Sequence, residues 1–392
     1  MRSTFLVAWL LLLPATALAQ PLFSSSQDPL AGALVFDAKG CIKCHPVDGI
    51  GGKVGPDLAR TTRPRTFYDL AAALWNHAPK MAARMRALGI ARPNLDPVEA
   101  GDLAGYLFTL SYFDRRANVA AGRRLFTEKR CIACHRLGGS GGVVGPPLEG
   151  LTPLASPISL AAAMWNHGPR MAELMEREKI ARPTFKPSEL ADLIGYINST
   201  APRAGRSSLY ALPGRADAGG RLFVQKQCVN CHSVGGVGDP SKPSLAERAL
   251  DMSLTDFAAA MWNKAPAMQQ AMQSRLAGEV PELRPQDMAD IVAFLYAARY
   301  FKQGGDPRKG VILAVNKGCL SCHGLYGERG KVASDLNEAA SIDSPAGVLS
   351  ALWNHSFIGD PLAERDRTPW PTFRGDEMAD LVAYLRSLKR SG

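Results

Sequence analysis

Cysteine and histidine fall into one pattern, Cys-x-x-Cys-His, which occurs four times and uses every cysteine of the chain. The cysteines are Cys41, Cys44, Cys131, Cys134, Cys228, Cys231, Cys319 and Cys322, and the histidines that follow them are His45, His135, His232 and His323. This pattern is typical of c-type haem attachment, in which the two thiols form thioethers and the adjacent His reaches the iron. The sequence therefore predicts four covalent haem c groups, with these histidines as the proximal iron ligands.

Zinc sites and structural disulfides also use paired cysteines. Paired zinc motifs normally lie about 12–20 residues apart, whereas here the first cysteines of successive motifs are 90, 97 and 91 residues apart. Disulfides suit an exported protein, but they do not explain why a His follows every pair. Haem attachment accounts for both features.

The N-terminal residues have the pattern of a secretory signal. Arg2 is followed by an apolar run from Phe5 to Leu13 and by Ala17-Leu18-Ala19, a small-residue cleavage site. The apolar run is short for a membrane-spanning helix, which needs about 20 residues. We therefore expect cleavage after Ala19 and export to the periplasm, where haem c is attached.

The motif spacing divides the chain into four modules of similar length, a length suited to a small domain. Nine residues before each first cysteine stands a glycine, and one helical turn later three copies carry Phe. Near the end of each module an apolar residue and an aromatic residue lie three positions apart. These sets are Gly32, Gly122, Gly219 and Gly310; Phe36, Phe126 and Phe223, with Ala314 in the fourth; and Leu103/Tyr106, Leu193/Tyr196, Ile291/Phe294 and Leu381/Tyr384. Such residues let two helices approach closely.

With these features the chain resembles the class I cytochrome c family, four times over. The resemblance implies an all-α fold of four tandem domains, each a few helices around one covalent haem. The predicted modules are residues 27–113 (module one), 114–202 (module two), 214–301 (module three) and 304–390 (module four), with a signal peptide at 1–19 and a linker at 203–213. In this family a loop proline offers its carbonyl to the second nitrogen of the proximal His. The matching positions are Pro56, Pro146, Pro243 and, without the proline, Ser334.

A second repeated motif supplies the candidates for the iron ligand on the side opposite the proximal His; we call it the landmark. Trp-Asn-His occurs in modules one, two and four and Trp-Asn-Lys in module three, and its third residue lies 32 positions after the motif His each time. A Pro and then a Met follow in the first three copies. The landmark positions are Trp75-Asn76-His77, Trp165-Asn166-His167, Trp262-Asn263-Lys264 and Trp353-Asn354-His355, and the following pairs are Pro79/Met81, Pro169/Met171 and Pro266/Met268. Because proline suits the first turn of a helix, we expect one helix to end near Trp-Asn and another to begin at the Pro.

The copies differ in which ligand they keep. Module three has lost the His but retains Met268, and module four lacks the Met but retains His355. Modules one and two offer both types, Met81 or His77 and Met171 or His167. We favour Met81 and Met171, because His/Met ligation is usual in the family and raises the potential; Lys264 is the alternative in module three. The family usually places its Met elsewhere, just before a Pro-x-aromatic segment.

The landmark tryptophans have two interpretations. Each indole N–H can donate to a haem propionate, as in resembling proteins, or the ring can be a large core residue. Its place beside a candidate ligand favours the propionate.

Charge and composition bear on partners. The formal net charge is +10 at pH 7, which suits redox partner proteins with acidic docking patches or an anionic membrane surface. Nucleic acid is not expected, since no basic run is dense enough.

These features favour a periplasmic carrier that passes single electrons between respiratory redox partners. The alternatives are a haem enzyme, peroxidase-like or acting on sulfur compounds, with an open site in module three or four, and a cytochrome subunit of a larger membrane-bound respiratory complex. The sequence shows no added catalytic domain and no second cofactor motif, so the carrier is favoured over the enzyme.

Overall fold

The computed structural model of the chain describes residues 28–60, 66–110, 117–149, 156–186, 188–200, 214–242, 244–248, 253–275, 279–302, 304–327, 333–339, 342–365 and 369–390, with only the backbone of 357–365 and 390. The predicted signal peptide and the linker at 203–213 lie outside these residues. None of the described helices is long and apolar enough to span a bilayer.

Three helices recur in each module, here called the first, middle and last helix, which confirms the all-α prediction. The first helices are α1 (Pro29–Ala38), α4 (Val119–Glu128), α7 (Ala216–Gln225) and α11 (Pro307–Asn316). The middle helices are α2 (Phe67–Ala87), α5 (Pro157–Arg177), α9 (Leu254–Arg275) and α12 (Pro345–Arg365), with a short α8 (Leu245–Arg248) before α9. The last helices are α3 (Pro97–Thr109), α6 (Glu189–Thr200), α10 (Pro285–Tyr300) and α13 (Gly375–Arg390). The described strands, β1 (Arg136–Leu137) and β2 (Ser140–Gly141), form one small hairpin.

Side-chain caps fix where several helices begin. At the start of α2, the hydroxyl of Thr66 accepts from the Asp69 N–H at 3.1 Å, and the Asp69 carboxylate accepts from the Thr66 N–H at 3.0 Å. Asp96 and Glu99 form the same capping box at the start of α3, where Pro97 occupies the first turn. These caps satisfy N–H groups that a helix start leaves unpaired.

The first and last helices of each module cross through the predicted glycine. A Cβ placed on Gly32 would meet the carbonyl of Asp102 and lie 2.8 Å from Cβ of Tyr106, so only glycine fits without a shift. Phe36 then packs on Tyr106, with ring centroids 5.5 Å apart. The same contacts recur at Gly122, Gly219 and Gly310. The helix crossing predicted from the sequence is confirmed in all four modules.

A buried aspartate of the last helix strengthens this crossing. Its carboxylate accepts the N–H of the residue that caps the first helix, and Asp102 binds Asp28 in this way at 2.9 Å. The equivalent pairs are Asp192 with Asn118, Asp290 with Arg215 and Asp380 with Asp306, at 2.6–2.9 Å. This aspartate was not predicted from the sequence, although it stands directly before Leu or Ile in every copy.

The expected helix break at the landmark prolines is wrong. Pro79, Pro169 and Pro266 lie inside continuous middle helices of 21 or 22 residues. A proline inside a helix lacks the N–H that would bind the carbonyl four residues earlier. The helix survives here because that carbonyl finds another donor, as described below.

The modules associate in two pairs, one of which joins modules that are not neighbours in the chain. In module one, α2 packs against α12 and α13 of module four, and α3 also packs against α12. In module two, α5 packs against α9 and α10 of module three. Among the described residues, the extensive helix packing between modules lies within these two pairs, one with four and two with three.

Aromatic side chains join one pair to the other. Phe67 and Phe108 of module one contact the end of α10 in module three, with Phe108 4.4 Å from Tyr300 and Phe67 5.8 Å from Phe301 between ring centroids. All four side chains are buried. Modules one and three therefore share a small core.

We predict that Gly122→Ala destabilises the protein, because the new Cβ meets the backbone of Asp192 and lies 2.8 Å from Cβ of Tyr196. Overpacking of this kind costs about 1–3 kcal/mol, which should lower the guanidinium midpoint of the first unfolding transition followed by circular dichroism. Gly304→Ala is the control, since its Cβ would meet nothing within 4 Å. Equal midpoints for the two variants would contradict the close crossing.

Candidate functional site

Each Cys-x-x-Cys-His motif forms a short 3-10 turn directly after the first helix. The N–H groups of Cys44 and His45 both donate to the carbonyl of Cys41, at 3.1 and 2.9 Å, and the other three motifs repeat these bonds at 2.9–3.2 Å. This tight turn holds two thiols and one imidazole together on a stretch of five residues. The arrangement is the one that haem attachment requires.

The imidazole of each proximal His is oriented by a backbone carbonyl. Nδ1 of His45 lies 3.1 Å from the carbonyl oxygen of Pro56, and Nδ1 of His323 lies 2.7 Å from that of Ser334. His135 and Pro146 make the same contact at 3.0 Å. Because a carbonyl only accepts, the proton is on Nδ1, and Nε2 keeps the lone pair that binds iron. The predicted bond is confirmed at these three positions, including the one without proline; Pro243 lies outside the described residues.

The first thiol of each motif is half-buried. Burial raises the pKa of Cys41, Cys131 and Cys228 to about 11 and also raises the pKa of Cys319. Burial therefore favours the neutral thiol of these cysteines over the thiolate. In the part of the chain that the structure describes, no three His, Cys, Asp or Glu side chains converge as ligands of a bare metal ion. These half-buried thiols, packed against the core, fit covalent haem attachment.

A repeated lysine that was not predicted from the sequence anchors the motif. Lys129 stands two residues before its first cysteine, and Nζ donates to the carbonyl of Thr184 at 2.6 Å and contacts Glu189 at 2.8 Å. The equivalents are Lys39 with Asn94 and Glu99, Lys226 with Glu282 and Asp287, and Lys317 with Thr372 and Glu377. The repetition at a constant offset was visible in the sequence, but its partner is about 55 residues away and only folding reveals it.

The candidate distal ligands of modules one to three lie on the middle helices. His77, His167 and Lys264 are exposed, and Nδ1 of His77 lies 2.7 Å from the carbonyl of Ala73 in its own helix. The methionines are half-buried and pack against the core; they are Met81, Met171 and Met268. Burial therefore places the thioethers, rather than the competing imidazoles or amine, on the inner side of these helices.

Module four presents a different arrangement. His355 is half-buried, and its ring lies 5.5 Å from the ring of the proximal His323, between centroids. Burial and the neighbouring His323 lower the pKa of His355, which favours the neutral imidazole that ligates metals. The imidazoles of His323 and His355 are therefore close neighbours, with 47° between the ring planes, and both are candidates to hold one iron.

The landmark tryptophans bind backbone carbonyls of the paired module, so their assignment to haem propionates is wrong. Nε1 of Trp75 donates to the carbonyl of Pro371 at 2.7 Å, and Nε1 of Trp353 donates back to Pro93 at 2.9 Å. The second pair repeats this exchange between Trp165 and Pro281 and between Trp262 and Pro183, at 2.8 and 2.7 Å. The acceptors belong to the segment before the last helix, here called the proline segment: residues 93–95, 183–185, 281–283 and 371–373.

The landmark asparagines complete the contact. The amide of Asn263 donates to the carbonyl of Phe185 at 2.8 Å and accepts the N–H of the same residue at 3.0 Å. Asn76 with Phe373, Asn166 with Leu283 and Asn354 with Leu95 are bonded in the same two-way manner. We call each Trp-Asn pair with its proline segment a clamp; there are two reciprocal clamps in each module pair.

The prolines in the middle helices explain a third bond of the clamp. Pro79, Pro169 and Pro266 each lie four residues after the landmark Trp, so the carbonyl left without a helical donor belongs to that Trp. Side chains of the paired module supply the missing donor. The side-chain nitrogen of Trp370 donates to the Trp75 carbonyl at 3.1 Å. Gln269 donates to the Trp165 carbonyl at 3.2 Å, and Arg182 donates to the Trp262 carbonyl at 3.1 Å.

Comparison with known proteins identifies the family. A family model described as cytochrome c matches residues 30–111, 119–201 and 216–298, which together make up more than half of the chain. The chain therefore belongs to the cytochrome c family, as tandem class I modules. Cytochrome c modules hold covalent haem c and transfer electrons, so this is a multihaem c-type cytochrome.

The matches end before module four, and comparisons with curated proteins and with solved structures give no significant match. Module four nevertheless repeats the helix crossing through Gly310, the lysine anchor through Lys317 and the His323–carbonyl contact.

We predict that Asn263→Ala destabilises the pair of modules two and three. The N–H and carbonyl of Phe185 lose their partner, and an unsatisfied buried group costs about 1–3 kcal/mol. Guanidinium unfolding followed by circular dichroism should show the lower midpoint. Asn316→Ala, at an exposed position at the end of α11, is the matched control, and a similar loss there would contradict a specific role of the clamp.

Proposed function

We propose that this protein is an exported tetrahaem cytochrome that passes single electrons between redox partner proteins in the periplasm. The observation that carries the proposal is the recurrence, in every module, of the motif turn and of a lysine anchor that holds this turn against its own module. Four such turns in one chain support four haem c groups rather than the three covered by the family matches.

The proposed axial ligands follow from burial. His45, His135, His232 and His323 are the proximal ligands, and the Nδ1 contacts of His45, His135 and His323 support Nε2 as the iron-binding atom. Met81, Met171 and Met268 are the distal ligands of haems one to three, and His355 that of haem four. When bound, the haem supplies the one-electron chemistry, and the chain orients the ligands.

This ligand set gives the haems different potentials. A thioether ligand favours ferrous iron and raises the midpoint potential, whereas a second imidazole in its place gives a lower potential. Haem four should therefore be the most reducing of the four. Two axial ligands on every iron also leave no open position for a substrate, which favours a carrier over the peroxidase-like or sulfur-oxidising alternative.

Location and partners rest on the sequence. The signal pattern at 1–19 supports export, and the net charge of +10 supports redox partners with acidic patches. A membrane-bound respiratory complex is one such partner.

The haem count gives a direct test. Protein made in a host that attaches haem c should carry four haems by pyridine haemochrome and intact mass, and the colour should survive denaturation. Cys131→Ala combined with Cys134→Ala should leave three haems, because these thiols serve only module two. A parent protein with three haems, or haem that extracts into acidified solvent, would contradict the proposal.

The ligand of haem three can be tested by a matched pair of variants on α9. Met268→Ala should remove one Met-to-iron charge-transfer band in the near infrared and lower one midpoint potential, because a thioether is lost. Lys264→Ala should leave the band and the potentials in place. The reverse outcome would assign the iron to Lys264.

A further inference from the structure

We propose that Trp75 of module one is a positioning residue for His355, so that module one completes the distal side of haem four. The inference rests on the proposed function, in which His355 ligates that iron. It assigns to a side chain of one module a role in the haem site of another, 280 residues along the chain.

The first observation is the contact itself. The indole of Trp75 lies almost parallel to the imidazole of His355, with an angle of 9° between the rings and 5.8 Å between their centroids. The same imidazole lies 5.5 Å from His323. His355 is therefore placed between the proximal His of its own module and a tryptophan of another.

The second observation is that the plane of Trp75 is fixed by module four. Its Nε1 donates to Pro371 at 2.7 Å, and its ring stacks on Trp370 at 4.5 Å and meets the edge of Phe373 at 6.1 Å. Only 8 % of Trp75 is exposed. A ring held at several points gives the imidazole a rigid surface rather than a mobile neighbour.

The third observation is that the pair of modules two and three differs in what covers the ring of the landmark Trp. Trp262 of module three is covered by the guanidinium of Arg182, 3.4 Å from the ring centroid, where module four has Trp370. The residues that correspond to His355 in this pair are His167 of module two and Lys264 of module three, and both are exposed. Among the described residues, the stacking of a landmark Trp on a candidate distal ligand is thus found in the pair of modules one and four.

The physical effect follows from how axial imidazoles are held. Outer partners of a metal-bound imidazole fix its orientation, and loss of a hydrogen-bonding partner typically weakens the metal site about 10–100-fold. The plane of Trp75 limits rotation of His355 about the bond to iron. The buried indole also keeps water and external ligands from the outer side of the imidazole.

The experiment uses the full-length holoprotein in the ferric and ferrous states. His355→Ala tests the ligand, Trp75→Leu removes the ring, and Trp75→Phe keeps an aromatic face. Trp165→Leu is the matched control, because it breaks an equivalent clamp in modules two and three. Each variant is first checked for four haems and a native circular dichroism spectrum.

We expect His355→Ala to replace one low-spin bis-histidine signal in the EPR spectrum by a high-spin signal. Trp75→Leu should shift the g-values of that same signal and speed carbon monoxide binding to one ferrous haem by about 10-fold or more. Trp75→Phe should remain close to the parent protein. Trp165→Leu should leave the bis-histidine signal unchanged.

Two results would overturn the positioning role. One is an unchanged bis-histidine signal and carbon monoxide rate in Trp75→Leu while His355→Ala alters both. The other is the same shift in Trp165→Leu, which would show general loosening. An unchanged spectrum in His355→Ala itself would instead refute the proposed ligand, so the two failures are distinct.

Discussion

The carbonyl of each landmark tryptophan in modules one to three is deprived of its helical donor by the proline four residues later. A buried carbonyl without a donor costs about 1–3 kcal/mol, so a middle helix containing this proline is incomplete in an isolated module. The missing donors are Trp370, Gln269 and Arg182, and each belongs to the paired module. Pairing therefore satisfies a backbone requirement, in addition to burying apolar surface.

The need for a donor from the paired module also affects the haem sites. The middle helix whose carbonyl is satisfied by that module also carries the candidate distal ligands. Met81 lies six residues after Trp75, and His355 lies two residues after Trp353. The proximal side is held within its own module by the lysine anchor and the loop carbonyl. In modules one to three the candidate haem site thus has one wall built locally and one wall on a helix that a second module completes.

Short-range features were predictable from the sequence. The haem motif, the glycine crossing and the proximal His–carbonyl contact each depend on residues within one module whose types recur at fixed offsets. The helix break at proline and the role of the tryptophans were predicted wrongly for a common reason. Both depend on donors and acceptors in another module, and the donors Trp370, Gln269 and Arg182 share no residue type that a repeat would reveal.

The order of pairing was also not encoded in any local pattern. The repeats make the four modules look equivalent, so their sequence gives no reason to join one with four rather than one with two. The residues that differ between the four modules were the part of the sequence that could have indicated the pairing. Trp370 stands where module two has Arg182, and each of these side chains covers the landmark tryptophan of its own paired module.

The pairing has a consequence for how the chain acquires its structure. Trp165 and its acceptor Pro281 are separated by 116 residues of sequence, whereas Trp75 and its acceptor Pro371 are separated by 296. Because a chain is synthesised from its N-terminus, the inner pair of modules can close while the outer pair is still open. The first module made is thus the last to be fully covered, and a product that ends before module four leaves bare the face of α2 that packs on α12 and α13. Damage at the C-terminus therefore disturbs the N-terminal module directly.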